Sequence, residues 1–256
     1  MKALRLLAIG WLFHFKMLSR SAFDGLLGVM WPLFFATTAF FMFRAGAGAD
    51  ALLYASLGAS VLGVWSATAV AASSALQRER WQGTLELLVA TPRHFSLVLL
   101  PITIAMATIG VYSMAATLFW GRFLFGIDIH LEHPLLFVVA VPATVVAIGM
   151  LGFLLSVTVV RYRTAWALGN AFEYPVWLVC GFLVPLSLLP DWVRPLSWAL
   201  APTWGIRAIR ESALGGSPLP DVAVCLGLGF GCAAAGILLL ETVLRSARAR
   251  ASLSLT

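Results

Sequence analysis

Six stretches of this chain, 25–43, 51–76, 95–121, 134–160, 164–190 and 222–240, are long and apolar, and the one charged side chain they contain is Glu173 in the fifth. The hydrocarbon core of a bilayer is about 30 Å thick and takes about 20 apolar residues of helix to cross. Backbone N–H and C=O groups in lipid must be satisfied within the segment, so runs of this length predict helices. The alternating apolar and polar pattern of membrane barrels, in segments of about 10 residues, is absent. The composition agrees: 61% of the residues are hydrophobic and 11% charged, against roughly a quarter charged in soluble domains. The expected fold is all-α, an integral membrane protein with six transmembrane helices, forming a single transmembrane domain over 1–256.

Orientation follows from the basic residues, because Lys and Arg in short connections are retained on the cytoplasmic side. With both termini inside, the inner segments hold Lys2, Arg5, Lys16, Arg20, Arg78, Arg80, Arg93, Arg161, Arg163, Arg245, Arg248 and Arg250. The outer connections hold fewer: Arg44, Arg122, Arg194, Arg207 and Arg210. An even number of spans fits this asymmetry, and the expected location is the plasma (inner) membrane, multi-pass, with both termini cytoplasmic. The net charge of +6 then faces the anionic inner leaflet, and no nucleic-acid partner is expected.

On a helical wheel, residues 1–23 place Lys2, Arg5, Lys16 and Arg20 on one arc and Leu4, Leu7, Trp11, Phe15 and Leu18 opposite. That pattern predicts an N-terminal interfacial amphipathic helix with its apolar face in the acyl boundary and its basic face at the headgroups. Basic residues run through the apolar ones there, so a cleavable signal peptide is not expected. Trp120, Trp192, Trp198 and Trp204 are expected at the outer interface, and Trp11, Trp81 and Trp166 at the inner one. Between the fifth and sixth spans, 191–221 is apolar yet broken by Pro195, Pro202, Pro218 and Pro220, which predicts short outer re-entrant or interfacial helices. Gly215-Gly216-Ser217-Pro218 is a turn signal.

The densest charge cluster among the inner connections is Arg78-Glu79-Arg80-Trp81-Gln82-Gly83-Thr84-Leu85-Glu86, which runs on to Pro92. It is too polar to span a membrane. Leu85, Leu88 and Val89 recur at helical spacing and Pro92 stops the helix, which predicts a short amphipathic helix at the cytoplasmic face. Topology alone calls for basic residues near the membrane and not for Gly-Thr-Leu-Glu at a fixed offset.

This segment resembles the first cytoplasmic loop of the ABC type-2 transporter permeases, which reads Arg-Glu-Arg, two residues, Gly-Thr-Leu-Glu and then Pro. Gly181-Phe182-Leu183-Val184-Pro185 followed by Pro190 is similar to the Gly, Pro, Pro pattern that ends the family's fifth span. The resemblance implies a short cytoplasmic coupling helix that docks into a groove of a separate ATPase subunit, with Arg78, Glu79, Arg80, Gly83, Thr84 and Glu86 in the coupling role. It also implies ATP and Mg on the partner ATPase and no cofactor on this chain. Consistent with that, the only lysines are Lys2 and Lys16, and neither completes a nucleotide-binding G-x-x-x-x-G-K-[ST] loop. No enzyme activity is expected of this polypeptide by itself.

Glu173, with Asn170 one turn earlier and Tyr174 beside it, is open to two readings. An acid within a span costs about 2.5 to 3.5 kcal/mol on insertion scales and is a functional candidate by default, here a polar point on the substrate pathway able to attract a cation. The competing reading is a hydrogen bond to a neighbouring helix. His130, Glu132 and His133 are short-spaced donors off any helix, better read as interfacial residues before the fourth span than as metal ligands, and no metal site is expected. Cys180, Cys225 and Cys232 lie in apolar stretches and read as packing residues, not disulfides.

The function expected is the permease subunit of an ABC transporter exporting a hydrophobic or amphipathic substrate, with an ABC ATPase subunit, a second permease subunit in a homo- or heterodimer, and membrane lipid as partners. A lipid-linked glycan is the alternative cargo. An ion-coupled secondary carrier would show matching repeats between its halves, which are not evident, and an intramembrane enzyme would need convergent catalytic groups at one depth.

Overall fold

The computed structural model describes residues 2–20, 22–44, 49–81, 95–159 and 165–250. Within them the chain is helical, without strands: α1 (Lys2–Ser19), α2 (Ala22–Arg44), α3 (Ala49–Trp81), α4 (Ser96–Phe125), α5 (Pro134–Val159), α6 (Ala165–Val179), a 3₁₀ turn (Leu186–Leu188), α7 (Val193–Trp198), α8 (Ala201–Leu214) and α9 (Pro218–Arg250). Hydroxyls along the long helices bond back to their own backbone, as Thr37 does to the Leu33 carbonyl at 2.7 Å and Thr144 to that of Ala140 at 2.8 Å. They therefore present little polar surface to lipid.

The helix α3 lies at the centre, packed against α2, α4, α5 and α6, while α8 is held between α5 and α9. The principal core joins Phe40, Leu57, Leu62, Trp65, Ile148, Phe182, Ile206 and Ile209. Lipid is as apolar as these side chains, so hydrophobicity does not by itself hold the helices together, and close packing has to. Small residues provide it. A Cβ on Gly110 would lie 2.6 Å from the Cα of Val64, and one on Gly149 would lie 2.8 Å from the Cα of Ile104, so α4 meets α3 and α5 backbone to backbone.

Four of these helices contain a stretch long and apolar enough to cross a membrane, Ala51–Ala69, Ser96–Phe125, Pro134–Thr158 and Pro218–Thr242, among the described residues. The helix α2 carries a shorter apolar stretch, Pro32–Met42. The fifth apolar run, expected as 164–190, is helical only as α6, whose 15 residues span about 22 Å at about 1.5 Å per residue. The chain turns out of helix at Gly181, in the left-handed region at φ 74°, and Pro185 precedes the 3₁₀ turn.

Other expectations are corrected in detail. Arg78–Trp81 is not part of a separate short helix but the final turn of α3, and the rest of the expected short helix lies outside the described residues. In α1 most of the face expected to enter the acyl boundary packs on α4 instead, while Leu4 at its start stays exposed. Gly10 sits against Pro101, Trp11 donates to the Thr108 hydroxyl at 3.0 Å, and Phe15 stacks near Tyr112 at 6.1 Å. Arg5, Lys16 and Arg20 are exposed, as are Leu6, Phe13 and Met17 on a flanking stripe that is left for lipid. Trp11 is thus spent on a helix contact, whereas Trp192 and Trp198 are exposed. Trp81 and Trp166 lie outside the described side chains. The prolines of 191–221 start helices more than they break them: Pro202 stands in the first turn of α8 and Pro218 opens α9, where a missing N–H has no cost. The glycine turn falls where expected, with Gly215 at φ 91° closing α8.

Candidate functional site

Of the coupling residues, Arg78, Glu79 and Arg80 occupy the final turn of α3, with side chains outside the described ones, and Gly83, Thr84 and Glu86 lie outside the described residues. Asn170 is on α6, its side chain likewise outside.

Glu173 is well placed by its surroundings. Ser66 on α3 donates its hydroxyl to Glu173 Oε1 at 2.5 Å, and the fully buried Trp65 donates its indole N–H to the Glu173 carbonyl at 3.1 Å. Successive residues of α3 thus fix both the side chain and the backbone of Glu173. One turn further along α6, Trp177 meets Tyr174 edge-on with centroids 6.5 Å apart, and Phe35 of α2 lies 6.3 Å from the same indole. Tyr174 is 52% exposed, so the aromatic cluster opens to the outside of the chain. Both readings of Glu173 find something here: it does bond to a neighbouring helix, and it stays partly exposed one turn from an aromatic cluster on the same helix. Ser66 and Trp65 were not singled out from sequence, and only the approach of α3 to α6 identifies them.

At the other end of α6 stands a residue that the charge count assigned to an exposed loop. Arg210 is 6% exposed. Its Nη1 donates to the Gly181 carbonyl at 2.8 Å, and its Nη2 donates to the carbonyls of Phe182 at 2.5 Å and Tyr54 at 3.3 Å. The guanidinium carbon lies 3.4 Å from the centre of the Tyr54 ring. These carbonyls belong to the turn after α6 and to α3, so a single planar fork ties α8 to both. The side chain fits because Gly58 leaves room: a Cβ there would fall 1.6 Å from the Phe182 oxygen. The signal in the sequence is periodicity, since Thr203, Ile206, Arg210 and Ala213 are all buried at helical spacing on α8. Arg210 occupies a core position of an amphipathic helix.

Beside it, Arg207 reaches Asp221 at 3.3 Å and Glu211 at 3.7 Å, joining α8 to the first turn of α9. Burial pushes the Glu211 carboxyl above its ordinary value of 4.5 and Asp221 adds to the rise, while Arg207 opposes it. A carboxyl raised on folding stabilises the folded state in full below its unfolded value, and that contribution is lost as pH rises through the folded value. Glu211→Gln is therefore expected to flatten the pH dependence of stability between 4.5 and the raised folded value. Thermal unfolding across that window checks it, and a profile identical to that of the unsubstituted protein counts against the cluster. The donors expected to be interfacial lie close by: the backbone N–H groups of Glu132 and His133 bond the carbonyls of Ala213 at 3.1 Å and Ser212 at 2.9 Å, fastening their loop to α8.

Apolar helices packed through small residues, with one half-buried acid among them, define a multi-pass, all-helical membrane protein. The sequence matches the ABC-2 type transporter family over residues 16–214, from within α1 to the end of α8, and the chain belongs to that family. It is accordingly an ABC transporter permease, a transport subunit and not itself the catalytic one, of a family that works with an ABC ATPase. A comparison with curated proteins gave no match.

Proposed function

We propose that this permease exports a hydrophobic or amphipathic substrate across the plasma membrane, driven by ATP hydrolysed with Mg on a separate ATPase subunit. In this reading the chain crosses the membrane six times, α2 and α6 included, with both termini cytoplasmic and α7 and α8 at the outer face. Two permease subunits, identical or related, enclose the pathway, because six spans are few for a two-sided route. Arg78, Glu79, Arg80, Gly83, Thr84 and Glu86 take the motion of the ATPase, and Asn170, Glu173 and Tyr174 line the pathway.

The observation that carries this reading is the run Arg78-Glu79-Arg80, Gly83-Thr84-Leu85-Glu86, Pro92, which begins in the final turn of α3. A helix that runs without a break from the centre of the bundle into this charged run is a lever by which a docked subunit can move the core. Glu86 can make charge-assisted hydrogen bonds to a partner surface, and truncating such a bond typically costs about 2 to 5 kcal/mol when the other charge is left unpaired. Glu86→Ala and Gly83→Val are therefore expected to leave insertion and stability intact while abolishing ATP-driven export and weakening co-purification of the ATPase. Normal export and normal ATPase association in both variants would remove the coupling assignment.

A further inference from the structure

The surroundings of Glu173 bear on what is carried. Its carboxyl is joined to the Ser66 hydroxyl, a neutral donor that orients the group without cancelling its charge. Among the described residues no Lys, Arg or His pairs with it. A carboxylate in an apolar span is costly until a positive charge meets it. Rings follow on the same helix: Tyr174 is the next residue and Trp177 stands one turn along the same face of α6, with Tyr174 against the edge of its indole and Phe35 of α2 on the same ring. Aromatic faces attract cations and repel anions, by about 0.5 to 2 kcal/mol or more as water is removed. Depth matters as well. Glu173 is 8 residues, about 12 Å, from the start of α6 at Ala165, and its partner Ser66 is 15 residues, about 22 Å, from Ala51 at the opposite end of the apolar stretch of α3. Both distances put the carboxyl near the middle of the bundle's depth, where an unpaired charge is most costly.

We propose that Glu173, with Phe35, Tyr174 and Trp177, recognises an organic cation, so that the cargo is a hydrophobic cation and not a neutral or anionic amphipath. This rests on the reading of the chain as an exporter of amphipathic molecules and names the charge that such a molecule must carry. The carboxylate sets the sign of the charge, the rings take the apolar body of the ligand, and Ser66 holds the carboxylate toward them. Ser66 is a positioning residue in this scheme.

The test uses three probes of similar shape on the permease in lipid nanodiscs with its ATPase: tetraphenylphosphonium, triphenylphosphine oxide as the neutral probe and tetraphenylborate as the anion. In the unsubstituted protein, tetraphenylphosphonium should bind saturably and more tightly than tetraphenylborate. Glu173→Gln keeps an acceptor for Ser66 and removes only the charge. It should weaken tetraphenylphosphonium by about tenfold or more and leave the neutral probe unchanged. Glu173→Asp should retain the preference for the cation. Equal binding of tetraphenylphosphonium by Glu173→Gln and the unsubstituted protein would overturn the proposal. So would tetraphenylborate binding as tightly as the cation in the unsubstituted protein, a comparison that needs no variant to fold. Co-purification of the ATPase and ATP-driven export report separately on the export reading, so a cation site on a chain that couples to no ATPase would be recognised as such.

Discussion

Arg210→Ala is expected to destabilise the protein by about 3 to 5 kcal/mol, more than any other single truncation around α8. The guanidinium bonds the carbonyls of Gly181, Phe182 and Tyr54, and its removal strands the two buried ones in the turn after α6, whereas Tyr54, within α3, keeps its intrahelical partner. An unsatisfied buried acceptor costs about 1 to 3 kcal/mol, and a partial collapse of the turn recovers some of the sum. The loss should show as an early melting transition of the purified protein and as protease sensitivity in the turn after α6. Arg210→Lys keeps the charge but offers a point donor in place of a fork and should fall between the two. An alanine variant within about 1 kcal/mol of the parent would mean that the turn after α6 is held by something else.

Gly58→Ala should be nearly as damaging, although it adds a single methyl group. That carbon would sit 1.6 Å from the Phe182 carbonyl oxygen and 2.5 Å from Arg210 Nη2. The first of these is backbone and cannot rotate away, so either α3 or the turn must shift. Overpacking of a tight core costs about 1 to 3 kcal/mol and occasionally more, and here the upper end is expected because the shift also breaks the Arg210 bonds. The two substitutions act on one contact and should not add. Once Gly58→Ala has displaced the Phe182 carbonyl, Arg210→Ala has less left to remove. A double-mutant cycle by thermal unfolding should give a coupling of about 1 to 3 kcal/mol, and strict additivity would show that Gly58 and Arg210 act separately.

The two residues illustrate where reading along the chain stops. Hydropathy treats 164–190 as a single apolar run, and by composition it is one, but the helix within it ends at Val179. Gly181 permits the turn, and what makes the turn tolerable in an apolar setting is a donor 29 residues further along the chain. No local window contains both partners. Arg210 entered the charge count as an outer-loop cation because a count registers side and not depth. Only the placement of α8 between α5 and α9 turns it inward. Glu173 could be picked out from the sequence, being the sole acid in an apolar stretch, but its donor Ser66 and the ring of Phe35 could not, because they come from other helices. The amphipathic pattern of α1 was legible, whereas the choice between lipid and α4 for its apolar face was not, since both are equally apolar.

What the sequence determined by itself is the solvent and the class. Runs of about 20 uncharged residues can be at home only in lipid, where backbone groups must be satisfied locally, and that requirement yields helices whatever the neighbours are. The Arg-Glu-Arg and Gly-Thr-Leu-Glu run pointed to the family for the same reason of locality, because its residues are consecutive. The tertiary structure alone decided where α6 ends, which arginine is buried, which face of α1 meets protein, and what surrounds Glu173. Each of these depends on contacts between helices distant in sequence, and those are set by shape, such as the Gly110 approach to Val64 and the space at Gly58, in a medium where hydrophobicity does not distinguish one neighbour from another.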